Sequence, residues 1–284
     1  MHLGMAMAML SVLVVALTAS FGLLKVFEGE TIPRGTALEA VERGPLGRAP
    51  ELPGDITVDA VRIEFWDNGE PRRITGLYTL LLDSGTRSFE VAVNQPRVVE
   101  GVRYFQEQRV GYAYGLSIEQ DGTLMPIRLD MPLPPSAAEA SYLDTVLPNG
   151  DLLRAKCLHD PVADAGAVEL VLRLVRDGEV LGERTLNGGT SVALGDLDVK
   201  VDAQAVWAIL TLERSVGYTP LFTSFFVIFL GAFFIYATPP REVTLTKRDD
   251  GTVVAEWFAP RFGTLYDDEE RRLREAASGE GSDT

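Results

Sequence analysis

Two long uncharged apolar runs, residues 3–24 and 219–237, stand apart from a chain in which apolar and polar residues otherwise alternate. About 20 apolar residues rising 1.5 Å each match a hydrocarbon core of roughly 30 Å, so each run predicts a bilayer-spanning helix. Lipid offers no partners for backbone N–H and C=O groups, which makes a helix obligatory there. Pro220 stands at the start of the second run, where its missing N–H costs nothing. The first run can also be read as a secretory signal, with Thr18-Ala19-Ser20 as its cleavage site. Only Met1 and His2 precede it and it is longer than a signal core, so an uncleaved anchor is the expectation.

Between the runs the pattern is that of strands. Residues 27–53, rich in Gly, Pro and Glu, predict an irregular linker. Ile56, Val58 and Ala60 then alternate, and Val61, Ile63 and Phe65 alternate in the opposite phase, which predicts a bulge. Turns fall at Asp67-Asn68-Gly69-Glu70 and Asp83-Ser84-Gly85, with strands over 77–82 and 89–93. Residues 110–118 form the clearest strand. Val110, Tyr112, Tyr114, Leu116 and Ile118 share one face, and Gly111, Ala113, Gly115 and Ser117 share the other, where another backbone can approach closely. Further strand signals at 168–174, 180–186, 197–201 and 207–211, with a hairpin at Arg176-Asp177-Gly178-Glu179, complete an antiparallel pattern.

The fold expected is an all-β domain, an antiparallel sandwich or barrel-like form, lying between two transmembrane α-helices. Its parts are an N-terminal helix (1–25), a linker (26–55), the β-rich domain (56–217), a second helix (218–238) and a tail (239–284). The tail carries a small hairpin around Asp249-Asp250-Gly251, a charged helix over 267–277 and a disordered end. Basic residues Arg241, Lys247 and Arg248 follow the second helix and Lys25, Arg34 and Arg214 flank the domain side, a near balance; because a long domain translocates largely regardless of its own charge, the expectation is a cytoplasmic tail and an extracytoplasmic domain at the inner membrane.

Charge and chemistry narrow the function. Of the net −15, residues 25–218 hold 19 basic and 30 acidic side chains, net −11, and residues from 241 onward hold 7 and 11, net −4. Such a surface repels phosphate backbones, so nucleic acid is not an expected partner. Cys157 is the sole cysteine, so the chain forms no internal disulfide. Cys157 and His159 would share a face of an extended segment and are the candidate haem or metal ligands. A zinc site needs three or four ligands and no other Cys or His stands nearby, so an ordinary half-buried Cys and a surface His are the commoner outcome. No phosphate-binding loop is present, neither helix carries an ionisable residue, and the aromatic pairs Phe65/Trp66 and Tyr112/Tyr114 fit core packing better than a platform. No catalytic residues are expected, and the chain reads as a non-enzyme.

Two segments carry a family resemblance: Phe65-Trp66-Asp67-Asn68-Gly69-Glu70-Pro71 before a strand, and Asn94-Gln95-Pro96 followed by Gly101, Tyr104 and Gln106. In this pattern, over residues 56–130 and 207–261, the chain resembles the ResB (CcsB) cytochrome c biogenesis family. Physically the motif is structural. Asn94 and Pro96 set a turn, Gly101 allows positive φ or close approach, and Tyr104 and Gln106 share one face of the next strand. Family members work beside a ResC (CcsA) partner that exports haem and attaches it to apocytochromes.

The family places three helices before the domain, a histidine in a membrane helix of some members, and Asp-Pro-Gly where this chain has Ser215-Val216-Gly217. The resemblance therefore implies a shortened, two-helix, non-enzymatic subunit of a system II cytochrome c maturation complex. It would act as a scaffold for a ResC/CcsA-like haem-handling membrane protein or for apocytochrome c. No cofactor of its own is firmly implied; haem would come through a partner. The alternative is a ResB-like accessory subunit of another membrane complex, such as an electron-transfer assembly.

Overall fold

The computed structural model describes residues 2–159, 168–186, 191–237, 241–259 and 266–278. Helix α1 (His2–Thr18) is followed by strands β1 (Ser20–Phe27), β2 (Thr31–Ile32), β3 (Ala40–Arg43), β4 (Asp55–Phe65), β5 (Pro71–Leu82), β6 (Gly85–Ala92) and β7 (Arg97–Val99). Next come β8 (Val102–Gln120), β9 (Thr123–Pro132), β10 (Ser141–Val146), β11 (Leu152–His159), β12 (Val168–Arg176), β13 (Glu179–Leu186), β14 (Ser191–Leu194) and β15 (Leu197–Arg214). Helix α2 (Tyr218–Ala237), β16 (Glu242–Lys247), β17 (Val253–Phe258) and α3 (Asp267–Ser278) follow. The chain divides into a β-unit, Leu17–Ser215, and a second unit that joins Met1–Ala16 to Val216–Thr284.

The β-unit is antiparallel throughout its described pairings and is built on two long neighbouring strands, β8 and β15. They sit in a sheet of order β3-β1-β15-β8-β7, with β14 added to β15 and β9 to β8. The sheet β2-β4-β5-β6 packs on one half of that spine, around Val26, Ile56, Val58, Tyr78, Leu80 and Leu210. The sheet β10-β11-β12-β13 packs on the other half, around Leu116, Ile118, Leu129, Leu153, Leu172 and Val199. One alternating strand thus serves two cores, with Val102, Tyr104 and Val110 of β8 turned into the first and Tyr112, Tyr114, Leu116 and Ile118 into the second.

The small face of β8 is used as its composition predicts. Gly111 stands opposite Trp207, and a Cβ there would lie 2.0 Å from the Met131 carbonyl oxygen. The Trp207 indole N–H donates to that same carbonyl at 2.9 Å. The Lys25 ammonium lies 4.5 Å from the Trp207 ring centroid and pairs with Asp130 at 2.7 Å, joining β1, β9 and β15 on this face. The predicted phase slip in β4 is a register shift between Val58 and Ala60, and Asp177-Gly178 closes its hairpin with both residues at positive φ.

The first apolar run departs from expectation. It does not form one helix over 3–24: α1 stops at Thr18, and Ser20–Phe27 is a strand. In β1, Ser20, Gly22, Leu24 and Val26 are buried in alternation, and the strand pairs with β15 on one side and β3 on the other. An uninterrupted apolar stretch has no period by which to separate a buried strand from a helix. The interval 26–55 is likewise no plain linker, because β2 pairs with β4 and β3 pairs with β1.

In the second unit, α1 and α2 lie side by side and antiparallel. A Cβ on Gly4 would meet Ile228, and one on Gly217 would meet Val14 and Val15. Gly4, Ser11 and Ser224 are their buried residues, and both hydroxyls bond back to their own helix, at Met7 and Leu221. Small residues allow such close approach. Among the described residues α2 is the one helix long and apolar enough to cross a membrane, and its flanks are exposed, with Phe222 at 69 % and Phe229 at 72 %. The hairpin β16–β17 and helix α3 form as the sequence predicts, with Arg241 paired to Glu269.

Candidate functional site

The motif residues separate into turn formers and core formers. Asn94 takes φ 62° just after β6, and the Gln95 N–H donates to the Ala92 carbonyl at 2.9 Å. Pro96 leads into β7. Glu100 and Gly101 form a two-residue hairpin loop between the paired residues Val99 and Val102, with φ 50° and 75°. Nothing lies within 4 Å of a Cβ built on Gly101, so its glycine serves the backbone angle rather than a close approach.

Tyr104 and Gln106 share one face of β8, as their spacing predicts, and that face is the inward one. Tyr104 is fully buried, its ring 5.0 Å from Phe89, which lies 5.7 Å from Tyr78. The Tyr78 hydroxyl donates to Gln106 Oε1 at 2.7 Å, and Gln106 Nε2 donates to the carbonyls of Glu107 and Ile209 at 3.2 and 3.4 Å. Among the described residues the Tyr104 hydroxyl has no hydrogen-bond partner. Burial pushes both tyrosine hydroxyls well above the ordinary phenol range, so both stay un-ionised even in alkaline solution that would titrate an exposed tyrosine.

The surface beside this core is concave. Gln106 pairs with Leu210 and Val110 with Ala208, so β8 spends two more residues than β15 over the same interval. The extra length forms a bulge at residues 107–109. The Thr211 hydroxyl holds the Glu107 carboxylate at 2.7 Å. A groove of about 650 Å³ runs past Asn94, Pro96, Phe105 and the bulge. An adjoining one of about 240 Å³ is lined by Pro71, Arg72, Arg73 and Ile74, and the two share Val93 and Gln108. The end of the first motif segment therefore meets Asn94, Pro96 and Gln106 of the second around Gln108.

Sequence reasoning missed the charged rim. Arg72 lies 4.7 Å over the Trp66 ring, and Trp66 is 53 % exposed instead of buried in a core. The available signal was its place at a hairpin apex, outside the alternation of β4, with Arg72 and Arg73 directly after Pro71. Tyr112 and Tyr114 are buried, as expected of core aromatics.

Cys157 belongs elsewhere. It lies fully buried on β11 in the second core, its sulfur 3.8 Å from the Tyr114 hydroxyl. Burial pushes the thiol pKa up, and a protonated thiol is a poor ligand and nucleophile. The "half-buried" Cys expected from the sequence is thus a core residue. The side chain of His159 lies outside the described residues. Among the described residues no group of three His, Cys, Asp or Glu side chains gathers as a metal site would require.

A separate ionic cluster closes the far end of the second core. Arg176 reaches buried Asp151 with two hydrogen bonds, 2.8 and 2.6 Å, and also pairs with Asp196 at 3.0 Å. Asn149 donates to Asp151 at 2.9 Å. The cluster ties together the loop before β11, the end of β12 and the β14–β15 turn, which is structural work.

No protein-family model matches this chain, and no curated protein matches it. The functional reading therefore rests on the Gln108 groove and on the chain's two units.

Proposed function

We propose that this chain is a membrane-anchored, non-enzymatic scaffold subunit of a system II cytochrome c maturation complex. In this reading α1 and α2 form a helical hairpin in the inner membrane and the β-unit stands outside. The Gln108 groove receives the ResC/CcsA-like haem-handling partner or apocytochrome c. The observation that carries the reading is that Pro71, which ends the first ResB-like segment, lines a groove adjoining the one lined by Asn94, Pro96, Phe105 and Gln106 of the second, the two grooves sharing Val93 and Gln108. Segments that served only their own turns would have no reason to meet. The exposed apolar flanks of α2 support a place in lipid, since surfaces of that kind are covered by a bilayer or a partner.

The inward residues favour scaffolding over haem chemistry. Tyr104 and Gln106 are consumed by the core, and the buried thiol of Cys157 is held protonated. Deleting the chain is expected to lower c-type cytochrome levels, whereas His159→Ala leaves them near normal and the purified protein lacks a stoichiometric Soret band. A Soret band abolished by His159→Ala would replace the scaffold reading with a haem-carrier one. Normal cytochrome levels after deletion would favour the accessory role in another membrane complex.

A further inference from the structure

We propose that the Gln108 groove recognises an acidic, extended segment of a partner protein, an inference that rests on the docking role given to this groove above. The first observation is charge. Residues 25–218 are net −11, yet the walls around Gln108 carry Arg72, Arg73 and Arg109, with Glu107 the one carboxylate lining them. Glu107 is held by the Thr211 hydroxyl, and Glu90 reaches only Arg73, at 3.5 Å. Neither Arg72 nor Arg109 joins an ion pair among the described residues; Arg72 lies over Trp66 instead. A basic groove in an acidic domain steers negative partners to itself and away from the rest of the surface.

The second observation is backbone. Residues 107–109 have no ladder partner on either side: β15 skips them, β7 pairs only with 102–104, and β9 only from Gly111 onward. Exposed N–H and C=O groups of a bulge can bond to an extended chain, as an open sheet edge does. The third is composition. Trp66, Phe105 and the arginines make the aromatic and guanidinium mixture typical of residues that carry protein–protein binding energy. A lipid headgroup would use the charge but neither the aromatics nor the bulged backbone.

The test uses the full chain in nanodiscs of zwitterionic lipid, with fluorescein-labelled hexaglutamate as probe and hexalysine as control, read by fluorescence anisotropy. Hexaglutamate is expected to bind, more weakly as salt rises, and R72Q/R109Q should weaken it about tenfold, the scale of two exposed charge pairs. The melting temperature should not change, because both side chains are at the surface. Absence of hexaglutamate binding, equal binding by R72Q/R109Q, or equal binding of hexalysine would each overturn the proposal. So would a double variant that keeps hexaglutamate but loses capture by phosphatidylglycerol vesicles, which would assign the arginines to lipid. If the peptide results hold while deletion of the chain leaves c-type cytochromes normal, the groove chemistry stands and the cytochrome reading fails. If deletion lowers cytochromes while R72Q/R109Q changes neither the peptide affinity nor those levels, the groove proposal fails alone.

Discussion

The Tyr78 hydroxyl donates a 2.7 Å hydrogen bond to the side-chain oxygen of Gln106, beside a core of Val, Ile, Leu, Ala and aromatic side chains. Each partner satisfies the other, so breaking one leaves a buried polar group alone. Gln106→Ala should destabilise the β-unit by about 2–4 kcal/mol, combining an orphaned hydroxyl with a cavity. Tyr78→Phe combined with Gln106→Leu should cost clearly less than the two single changes added together, as thermal unfolding of the full chain can measure. Strict additivity would show that the bond is not formed.

Tyr104 offers the opposite case. Its hydroxyl is buried with no partner among the described residues. Tyr104→Phe should therefore be neutral or stabilising by up to about 1 kcal/mol. A clear drop in melting temperature would reveal a partner, such as a buried water, that the hydroxyl serves.

Two glycines on one face of β8 should respond differently. A Cβ on Gly111 would sit 2.0 Å from the Met131 carbonyl oxygen and 2.8 Å from the Trp207 indole nitrogen, whereas one on Gly115 would have its nearest neighbour at 3.6 Å. Gly111→Ala should cost about 3 kcal/mol by forcing β9 and Trp207 apart. Gly115→Ala should stay within about 0.5 kcal/mol of the parent. Equal responses would mean that the Trp207–Met131 contact is not tight.

Acid should weaken the second core through Asp151. Hydrogen bonds from Arg176 hold the Asp151 carboxyl below its ordinary range, and the same guanidinium lowers Asp196. A group whose folded pKa is depressed adds stability above its unfolded value, and that stability is lost as pH falls through the folded value. Melting temperature should therefore drop as pH falls below about 4, the ordinary aspartate value. Arg176→Met should lower the melting temperature at neutral pH, by less than the loss of a fully buried pair would, because Arg176 is partly exposed. It should also flatten the acid slope. An unchanged slope in Arg176→Met would remove the cluster from the acid response.

The proposed topology, with the β-unit outside and the tail inside, rests on α2 and the basic residues beyond it. Protease added to spheroplasts should digest the β-unit and spare a tag placed after Thr284, with α1 retained on the mature chain. Loss of the tag under those conditions would reverse the orientation, and an N-terminus beginning near Ser20 would show α1 to be a cleaved signal.

Local alternation and turn chemistry made most strands legible from sequence. The face of Val110, Tyr112, Tyr114, Leu116 and Ile118 and the hairpin loop at Asp177-Gly178 depend on period 2 and positive φ, which neighbouring residues dictate by themselves. That Tyr104 and Gln106 share a face was readable for the same reason, though not that the face is buried. Residues 20–27 were not, because an apolar run carries no period until β15 and β3 supply their hydrogen bonds. The same holds for the division of one strand between two cores and for Cys157, whose burial depends on which sheet covers β11. The groove lay furthest from the sequence. Arg72, Asn94 and Arg109 read locally only as hairpin, turn and strand residues, and the bulge in β8 and the pairing of β5 with β6 bring their segments together around Gln108. Periodicity reports which face a residue takes; which distant face it meets is decided by long-range pairing, and that information exists only in the folded chain.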